Sequence, residues 1–535
     1  MTGVEQRILT VLSDKLGEKL LQVQTPQLGK VFVHVNAGVH RDALIILLDE
    51  DESAGVSAIT GVDLEEAIEL MYHVRTLGTV VTIRTEVPRE DARIKSITDL
   101  IPGADFHERE VADLFGVTFE GHPNPRRLIL SDDWPKNLFP LRKDAALTNI
   151  ENKAETVTTS KEDKLSSDVG TLINVIVGPQ HPALLEPEKF SLKVDGEVVK
   201  DVELRIGYVH RGIEKAAEKR TYLQDIYLVE RICGICNAAH AATFCQTVEA
   251  IMGTRVPPRA KYLRTIVLEL NRIQSHMLLL GHAGLEIGYE SLFQYMWRDR
   301  EIVMDAMELL TGNRVIASFV TIGGVRRDLK EEKVPKIKAE LATLKEKTRF
   351  YKHLFERDPT LKMRTENIGV LSKSDALKLC VVGPVARGSD VKMDVRKDEP
   401  YAAYNDIPFK MITYSEGDSW TRLIVRLDEI SESIDIINFA LDNLPSGSYR
   451  VRVPRIVPAG EAVSRVEAPR GELFYYVKSN GTAYPERVKV RTPTFSNLIS
   501  FAQIAKGGNV ADVPVSFISL DPCFACADRI ARLKK

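Results

Sequence analysis

The sequence contains little cysteine, little net charge and no long uncharged apolar run. Its 535 residues include only six cysteines, too few for a scaffold stapled by disulfides. The 72 lysines and arginines nearly balance 75 acidic residues, and the net charge of -3 gives no basic footprint for nucleic acid. No apolar segment approaches the roughly 20 residues that cross a bilayer, and charges interrupt the apolar pattern of the N-terminus, unlike a signal peptide. The sequence therefore predicts a soluble cytoplasmic protein that reaches a membrane only through partner subunits.

Hydrophobic patterning divides the chain into two domains and a linker. Residues 1–145 mix helical and strand-like segments and predict a small α/β domain. Residues 146–170 are polar, rich in Thr, Ser, Lys and Glu, and predict a linker. The predicted elements of the first domain are an amphipathic helix at its start, strands from Val31, Ala43 and Thr79, a helix from Asp63 to Leu77 and an extended arm from His107.

Residues 171–535 predict a second, mainly helical domain with short strands near both ends. Two β-type runs on either side of a Ser-Asn-Gly sequence predict a hairpin near the C-terminus. Leu423 and Leu441 delimit an apolar stripe with alternating spacings of four and three residues, which predicts a helix that faces the core. Asp418 or Ser419 could cap the start of this helix. The predicted fold class is α+β.

Four of the six cysteines form two Cys-x-x-Cys pairs, Cys233 with Cys236 and Cys523 with Cys526. Four thiolates at two such pairs suit a soft metal centre. One interpretation is structural zinc, although zinc ribbons usually close a loop of about 15–20 residues and nearly a whole domain separates these pairs. A second interpretation is a redox disulfide within each pair. The third is a buried catalytic metal held between the two distant pairs.

The residues around these pairs resemble a known family. ERICGICNAAH and LDPCFACADR are similar to the two metal-binding signatures of nickel–iron hydrogenase large subunits. GPQHPALLEPEKF, GYVHRGIEK, GPVARGSD, DEPYAAY and EAPRGELFYYV are similar to the membrane-bound, energy-converting branch of that family, which resembles the large core subunit of respiratory complex I. The arm that begins HEREVADLFGV resembles the small, 30 kDa core subunit of complex I, usually a separate chain but here fused, as in hydrogenases of the formate-hydrogenlyase type. The resemblance implies a small α/β domain joined to a mainly helical domain like a hydrogenase large subunit.

The resemblance also implies a nickel–iron centre on the four cysteines, with CO and cyanide bound to the iron. Cys233 and Cys523 would be terminal nickel ligands, and Cys236 and Cys526 would bridge nickel and iron. Thiolates are suited to this role because they are soft, electron-rich donors that keep nickel redox-active.

Five further residues acquire expected roles from the same resemblance. His240 follows the first pair by four residues, so it would return to the same helix face and hydrogen-bond a bridging sulfur. Arg470 would place its guanidinium over the open metal position, with Asp521 as its partner. Glu186 would begin the path by which protons leave, and Glu214 would bind a structural magnesium or iron ion. The alternatives are a core histidine, an ordinary ion-paired arginine and a solvated loop carboxylate at Glu186.

The chain departs from the commoner family pattern near its C-terminus. Relatives with the magnesium site have a histidine after the second pair, whereas this chain has Arg529, and arginine cannot ligate a metal. The magnesium site implied at Glu214 would therefore lack one ligand. Six residues follow Arg529, and we expect the active chain to keep them. Cys245 and Cys380 have no paired partner and are predicted to be buried as small apolar side chains.

The function implied by the resemblance is a hydrogenase that interconverts H2 with protons and electrons and evolves H2 with energy conservation. No cysteines remain for a cluster in this chain, so electrons would pass through an iron–sulfur small subunit and a ferredoxin-like iron–sulfur subunit. Antiporter-like membrane subunits would hold the chain peripherally at the cytoplasmic face of the cell membrane. Ferredoxin, formate dehydrogenase or carbon monoxide dehydrogenase would be the electron partner. The alternative is a quinone-reducing or structural core subunit of a complex I-like NADH dehydrogenase assembly, which lacks the metal cysteines.

Overall fold

A computed structural model of the chain describes residues 3–145, 172–181, 184 and 186–528. The predicted linker, Arg529 and the tail after it lie outside the described residues. In the described ranges, no helix is both long enough and apolar enough to cross a membrane. The described residues form two compact units: the first comprises those of 3–215, with 377–380 and 527–528, and the second comprises Ala216–Ala376 and Val381–Cys526.

The first unit is a mixture of sheets and short helices. Its strands are β1 (Leu20–Gln27), β2 (Lys30–Val35), β3 (Gly55–Asp63), β4 (Ala67–Thr76), β5 (Thr79–Pro88), β6 (Arg93–Lys95), β7 (Thr118–Glu120), β8 (Leu172–Val177), β9 (Lys189–Asp195) and β10 (Val198–Arg205). Its helices are α1 (Gly3–Leu16), α2 (His40–Glu50), α3 (Asp105–Phe115) and α4 (Ile213–Ala217), the last of which crosses the unit boundary.

The main sheet of the first unit has the strand order β1-β2-β5-β4-β3. Strands β2 and β5 run parallel, and the other neighbours run antiparallel. A second, antiparallel sheet has the order β10-β9-β8, and β6 pairs with β7 in parallel. Cys380 is buried in the apolar core of this unit, which confirms its prediction as a small apolar side chain.

The apolar run from Ala43 forms α2, so its prediction as a strand is wrong. Ala43, Leu44 and Leu47 are buried, whereas Ile45 is exposed, which is the spacing of a helix. An unbroken apolar run carries no period, so the sequence could not distinguish a buried helix from a buried strand.

The segment from Asp63 to Leu77 forms the end of β3 and the whole of β4, so its prediction as a helix is also wrong. Strand β4 lies between β3 and β5 and is buried along nearly its whole length. Its polar residues bond to neighbouring strands: His73 lies 3.0 Å from the Thr60 hydroxyl and 2.9 Å from the Thr82 hydroxyl. In the sequence, the charged and polar residues of this buried strand are therefore mistaken for the polar face of a helix.

The predicted extended arm begins with a helix, α3, continues through the short strand β7 and becomes irregular only after Glu120. Gly116 ends the helix in the left-handed region, at a φ of 74°. Asp113 in α3 accepts hydrogen bonds from the backbone N–H groups of Leu128, Ile129 and Leu130 at 2.8–3.2 Å. One buried carboxylate therefore fixes the irregular arm against the helix that precedes it.

The second unit is mainly helical. The helices wholly or partly in it, beyond α4, are α5 (Tyr222–Glu230), α6 (Asn237–Met252), α7 (Pro258–Ile287), α8 (Glu290–Thr311), α9 (Val334–Arg357), α10 (Pro359–Thr365), α11 (Lys373–Lys378), α12 (Pro384–Arg387), α13 (Val395–Asp398), α14 (Ser419–Asp442), α15 (Pro493–Asn497), α16 (Ser500–Ala505), α17 (Val513–Ser519) and α18 (Phe524–Asp528). Its strands are β11 (Val320–Thr321), β12 (Gly324–Val325), β13 (Gly460–Ala468), β14 (Gly471–Ser479) and β15 (Pro485–Arg491).

Four long helices of this unit pack in a closed ring, α7 on α8, α8 on α9, α9 on α14 and α14 on α7. The predicted apolar stripe lies in α14, and its N-cap Asp418 accepts a hydrogen bond from the Thr421 N–H at 2.8 Å. The predicted hairpin is β14 with β15, and β13 adds a third antiparallel strand. Because α6 packs on β13 and β14, the sheet lies beside the helix that follows the first cysteine pair.

Candidate metal centre

The first cysteine pair lies in the turn between α5 and α6. Cys233 follows α5, and Cys236 directly precedes α6. Helix α7 holds this turn, because Asn271 Nδ2 and Gln274 Nε2 each donate to the Ile235 carbonyl oxygen at 2.6 Å. Within the turn, the backbone N–H of Cys236 points at Cys233 Sγ over 3.5 Å. These contacts fix the backbone that carries both thiols.

The second cysteine pair lies at the start of α18. The backbone N–H of Cys523 donates to Thr494 Oγ1 at 3.3 Å, and Thr492 Oγ1 donates to the Cys526 carbonyl oxygen at 2.9 Å. Thr492 directly follows β15, and Thr494 lies in the first turn of α15. Two hydroxyl groups two residues apart therefore anchor both members of the pair.

The two pairs meet, and each thiol faces one from the other pair. Cys233 Sγ lies 3.4 Å from Cys523 Sγ, and Cys236 Sγ lies 3.4 Å from Cys526 Sγ, although each contact spans 290 positions of sequence. All four thiols are buried, and none of the four is in a disulfide. A disulfide needs a sulfur separation of about 2.05 Å. A metal ion about 2.3 Å from sulfur could instead contact both members of either cross-pair.

The thiols of this cluster share protons unequally. Hydrogen bonding with neighbouring thiols, first of all Cys236, lowers the pKa of Cys233 well below its ordinary value. Hydrogen bonding with Cys233 raises the pKa of Cys236, and burial raises the pKa of Cys526. Cys233 is therefore the first of these three thiols to ionise, and a soft cation would have to displace the protons that Cys236 and Cys526 retain.

His240 lies in the first turn of α6 and faces the second pair. Its Nε2 lies 3.8 Å from Cys526 Sγ, and its Nδ1 lies 2.7 Å from the hydroxyl of Tyr475 in β14. The two rings also meet edge to face. The hydroxyl fixes the orientation of the imidazole, so that Nε2 points at the sulfur.

Two overlapping groups of closely spaced ligand atoms occur among the described residues. One consists of Cys233, Cys523 and Cys526, and the other of Cys236, His240 and Cys526. Cys526 belongs to both groups, so it stands where two ligand sets meet. This chemistry, four sulfurs with one imidazole beside them, fits soft transition metals and does not fit magnesium or calcium.

Arg470 and Asp521 form a buried ion pair in the same unit. Arg470 Nη2 lies 2.7 Å from Asp521 Oδ1, and Arg470 Nε donates to the Asp521 carbonyl oxygen at 2.9 Å. Arg470 Nη1 donates to Ser275 Oγ in α7 at 3.2 Å. Burial opposes the charge of Arg470, but Asp521 and then the thiolates Cys523 and Cys233 raise its pKa well above the usual value. Arg470 is therefore a permanent cation beside the sulfur cluster.

A close approach of two backbone segments fixes the turn that carries Arg470. Gly471 has a φ of 126°, and a Cβ placed there would lie 2.7 Å from the backbone nitrogen of Gly383. Only glycine fits this contact. Asn497 joins the two segments, because it accepts from the Val382 N–H at 2.8 Å and its amide points at the Arg470 carbonyl oxygen.

The structure brings seven of the nine predicted site residues together in the second unit: the four cysteines, His240, Arg470 and Asp521. Glu186 and Glu214 belong to the first unit, where Glu186 is half-buried and Glu214 is buried in α4. Sequence reasoning missed the side chains that hold the site in place. These are Asn271, Gln274, Ser275, Tyr475, Thr492, Thr494 and Asn497.

Three family models match different parts of the chain. The 30 Kd subunit of respiratory-chain NADH dehydrogenase matches residues 33–151. The 49 Kd subunit of the same enzyme matches residues 286–457 and 454–529. Between these, residues 211–283 match the nickel-dependent hydrogenase family, and this stretch contains the first cysteine pair.

Relatives from two kinds of enzyme cover most of the chain. The C/D subunit of NADH-quinone oxidoreductase from Phocaeicola vulgatus is 34% identical over 516 residues, which cover 92% of this chain and 96% of the relative. The carbon monoxide-induced hydrogenase of Rhodospirillum rubrum is 42% identical over 354 residues, which cover 66% of this chain and 98% of the relative.

Among solved structures, a chain of the membrane-bound sulfane sulfur reductase, an archaeal respiratory membrane complex, is 34% identical. The two chains match with a TM-score of 0.65, over 67% of this chain and 99% of that one. The chain belongs to the family that contains the fused 30 kDa- and 49 kDa-type subunits of respiratory-chain NADH dehydrogenase and the large subunits of related nickel-dependent hydrogenases.

Proposed function

We propose that this chain is the catalytic subunit of a nickel–iron hydrogenase, which interconverts one H2 with two protons and two electrons. The observation that carries the proposal is the meeting of four buried thiols in two cross-pairs 3.4 Å apart. A subunit that only handles quinone needs no such cluster. The match of residues 211–283 to nickel-dependent hydrogenases supports the same assignment.

The four thiols would hold both metals. Cys233 and Cys523 would bind nickel as terminal ligands, and Cys236 and Cys526 would bridge nickel and iron, which would also carry CO and cyanide. When bound, the centre supplies a redox-active site at which H2 is split or formed. Sulfur donors suit that role because they are soft and electron-rich. Cys526 belongs to both groups of ligand atoms, which agrees with a bridging role.

Three other residues would stabilise charge at the centre or accept protons from it. Arg470, held by Asp521 and Ser275, presents a fixed cation that polarises what binds beside the sulfurs. His240 would donate from Nε2 toward Cys526 Sγ and withdraw electron density from that thiolate. Glu186 is the carboxylate that the family resemblance assigns as first acceptor of protons.

Electrons would leave through partner subunits. Only Cys245 and Cys380 remain in the sequence after the four ligands, too few for an iron–sulfur cluster. An iron–sulfur small subunit, a ferredoxin-like subunit and antiporter-like membrane subunits would complete the assembly, peripherally at the cytoplasmic face. Ferredoxin, formate dehydrogenase or carbon monoxide dehydrogenase would exchange electrons with it.

One observation favours a second candidate, a core subunit of a complex I-like NADH dehydrogenase. The NADH-quinone oxidoreductase relative from Phocaeicola vulgatus covers 92% of this chain, including the N-terminal domain. That candidate predicts a purified complex that contains no nickel after expression with nickel and the maturation proteins.

The test is metal analysis and H2 turnover of the purified complex, with two cysteine variants. Cys236→Ala should remove nickel and activity, because it deletes a ligand of both metals. Cys245→Ala is the matched control: Cys245 is equally buried on α6, and its substitution should keep both. Full nickel content and turnover in Cys236→Ala would refute the assignment.

A further inference from the structure

A cluster of buried polar side chains adjoins the Arg470–Asp521 pair in the second unit. Its central residue is Arg426 on α14, which is fully buried. Arg426 Nη1 donates to the Arg422 carbonyl oxygen at 2.5 Å. Its Nε lies 3.8 Å from Asp521 Oδ2, which is too long for a hydrogen bond, but a water molecule to the side of the two atoms could bond to both.

Three side chains of this cluster have buried polar atoms that form no hydrogen bond with any residue that the structure describes. These atoms are Nε and Nη2 of Arg426, Oδ2 of Asp521 and Nδ1 of His276. His276 and Arg426 are fully buried, and Asp521 is 2% exposed. Such atoms are rarely left unsatisfied, because burial without a partner costs nearly the full hydration of the group.

The bond that His276 makes through Nε2 determines which of its two ring nitrogens carries the hydrogen. Nε2 lies 2.9 Å from Glu429 Oε2, and Arg387 donates to Glu429 Oε1 from Nε at 2.9 Å and from Nη2 at 2.7 Å. Burial opposes ionisation, yet Arg387 and the bond from His276 lower the pKa of Glu429 well below its usual range. Nε2 therefore carries the hydrogen that this carboxylate accepts.

His276 itself stays neutral. Burial lowers its pKa to about 4, the bond to Glu429 opposes this shift, and the charge of Arg426 adds to it. With Nε2 protonated and the ring neutral, Nδ1 presents a lone pair and can only accept.

The unsatisfied atoms are complementary to water. Asp521 Oδ2 and His276 Nδ1 are acceptors, and Arg426 Nε and Nη2 are donors. A water molecule has two hydrogens to give and two lone pairs to receive, so the four atoms supply the two to four partners that a buried water needs.

We propose that Arg426, His276 and Asp521 bind internal water, and that through it Arg426 and His276 position the Asp521–Arg470 pair beside the metal centre. The second half of this inference rests on the proposed function, whereas the water site does not. Arg426 and His276 are positioning residues, since both act through Asp521.

Two substitutions at His276 test the roles of its two ring nitrogens separately. His276→Gln can keep the donation to Glu429 but has no atom in place of Nδ1, so it should lose the water. His276→Asn keeps a polar atom near the position of Nδ1 but does not reach Glu429, so it should keep the water.

Arg426→Met removes both free donors at similar volume. Its control is Arg422→Met, one helical turn earlier, where the guanidinium is fully buried but bonds to Ser519, Gly417 and Gly369 at 2.7–2.9 Å. The control should destabilise the fold and leave the water in place.

The experiment is a structure of the purified complex at a resolution that shows water, with infrared spectra of the CO and cyanide ligands. We expect water within hydrogen-bond distance of His276 Nδ1, Asp521 Oδ2 and Arg426. Arg426→Met and His276→Gln should shift the infrared bands and lower H2 turnover by about 10- to 100-fold, the usual effect of losing an outer partner of a metal site. His276→Asn and Arg422→Met should keep the wild-type bands.

A direct contact between Arg426 and Asp521 without water would overturn the water site. Unchanged infrared bands and unchanged placement of Arg470 in both Arg426→Met and His276→Gln would overturn the positioning role. If one variant does not fold, the other decides. The two proposals can fail separately. A complex without nickel would refute the proposed function, and its structure would still show whether the water is present.

Discussion

Replacing Arg470 with lysine tests whether the site needs a planar guanidinium or only a positive charge. Arg470 donates from three nitrogens in three directions: to Asp521 Oδ1, to the Asp521 carbonyl oxygen and to Ser275 Oγ. Lysine has one nitrogen at the end of a flexible chain, so it can keep the charge but not this geometry. We expect Arg470→Lys to bind nickel normally and to turn over H2 slowly.

The size of the effect follows from the bonds that lysine cannot reproduce. A buried hydrogen bond that involves a charged group contributes about 1.5–3 kcal/mol. If the misplaced cation loses one such interaction with the transition state, kcat falls by about 10- to 160-fold. The loss should appear in kcat more than in the KM for H2, because the side chain acts on developing charge rather than on binding.

Turnover per bound nickel is the assay, because it separates catalysis from metal loading. Arg422→Lys is the control: Arg422 is also fully buried and donates hydrogen bonds to Ser519, Gly417, Gly369 and Ser419. That variant should unfold at a lower temperature but turn over normally per nickel. Turnover in Arg470→Lys within twofold of the wild type would refute the requirement for a guanidinium.

Three further predictions use other parts of the chain. Glu186→Gln should keep the infrared bands of the iron ligands but slow turnover and hydrogen–deuterium exchange of H2, and normal exchange would exclude Glu186 as the proton acceptor. Protein produced without nickel should exchange amide hydrogens faster in 523–528 than in α7, because metal binding joins the second pair to the first, and equal protection with and without nickel would contradict this. Burial raises the pKa of Glu108 in α3 to about 7, against the bonds from Ser96 and Ile97, so the folded state retains a proton that the unfolded state releases near pH 4.5. Stability present at acid pH is then lost as the pH rises from about 4.5 to 7, by up to about 3 kcal/mol, and amide exchange in α3, corrected for its intrinsic pH dependence, should accelerate over that range. Glu108→Gln should flatten the profile, and an equally steep profile in that variant would assign the effect to another group.

Part of this fold could be predicted from the sequence, because some elements have a regular spacing of apolar residues and some residue types suit only a few kinds of site. The stripe from Leu423 to Leu441 has helical spacing, and Asp418 precedes it as a cap, so α14 was predictable. The two cysteine pairs allowed a shared metal centre, and the resemblance of their flanking residues to hydrogenase signatures selected it. The spacing of His240 placed it on the helix face next to the first pair, and the resemblance supplied its role.

The remainder depends on tertiary contacts that no local pattern encodes. Strand β4 reads as an amphipathic segment because the partners of His73 and Glu69 lie on other strands. Thr492 and Thr494 look like ordinary loop residues, yet they anchor the second cysteine pair. The signal that could have found some of them is a polar residue within an apolar helix, such as Asn271 in α7, which indicates a nearby group that needs a hydrogen bond.

Helix α7 shows why so many polar groups are buried beside the candidate centre. Asn271, Gln274 and Ser275 follow the i, i+3, i+4 spacing of one face, and they hold the first cysteine turn and Arg470. Glu269, Arg272 and His276 share another face, on which Arg272 bonds to Glu269 of the same helix. Helix α14 contacts this face through Glu429, which accepts from His276, and Ser433, which donates to Glu269.

A buried hydrogen bond to a charged group contributes about 1.5–3 kcal/mol, and leaving its carboxylate without a partner costs more. A shift of α7 by one residue along α14 would break the bond from His276 to Glu429 and the bond from Ser433 to Glu269 together. We therefore infer that this polar face of α7 fixes its register against α14. The opposite face then has no freedom to slide, and this holds the first cysteine turn and Arg470 at constant separation from the second pair.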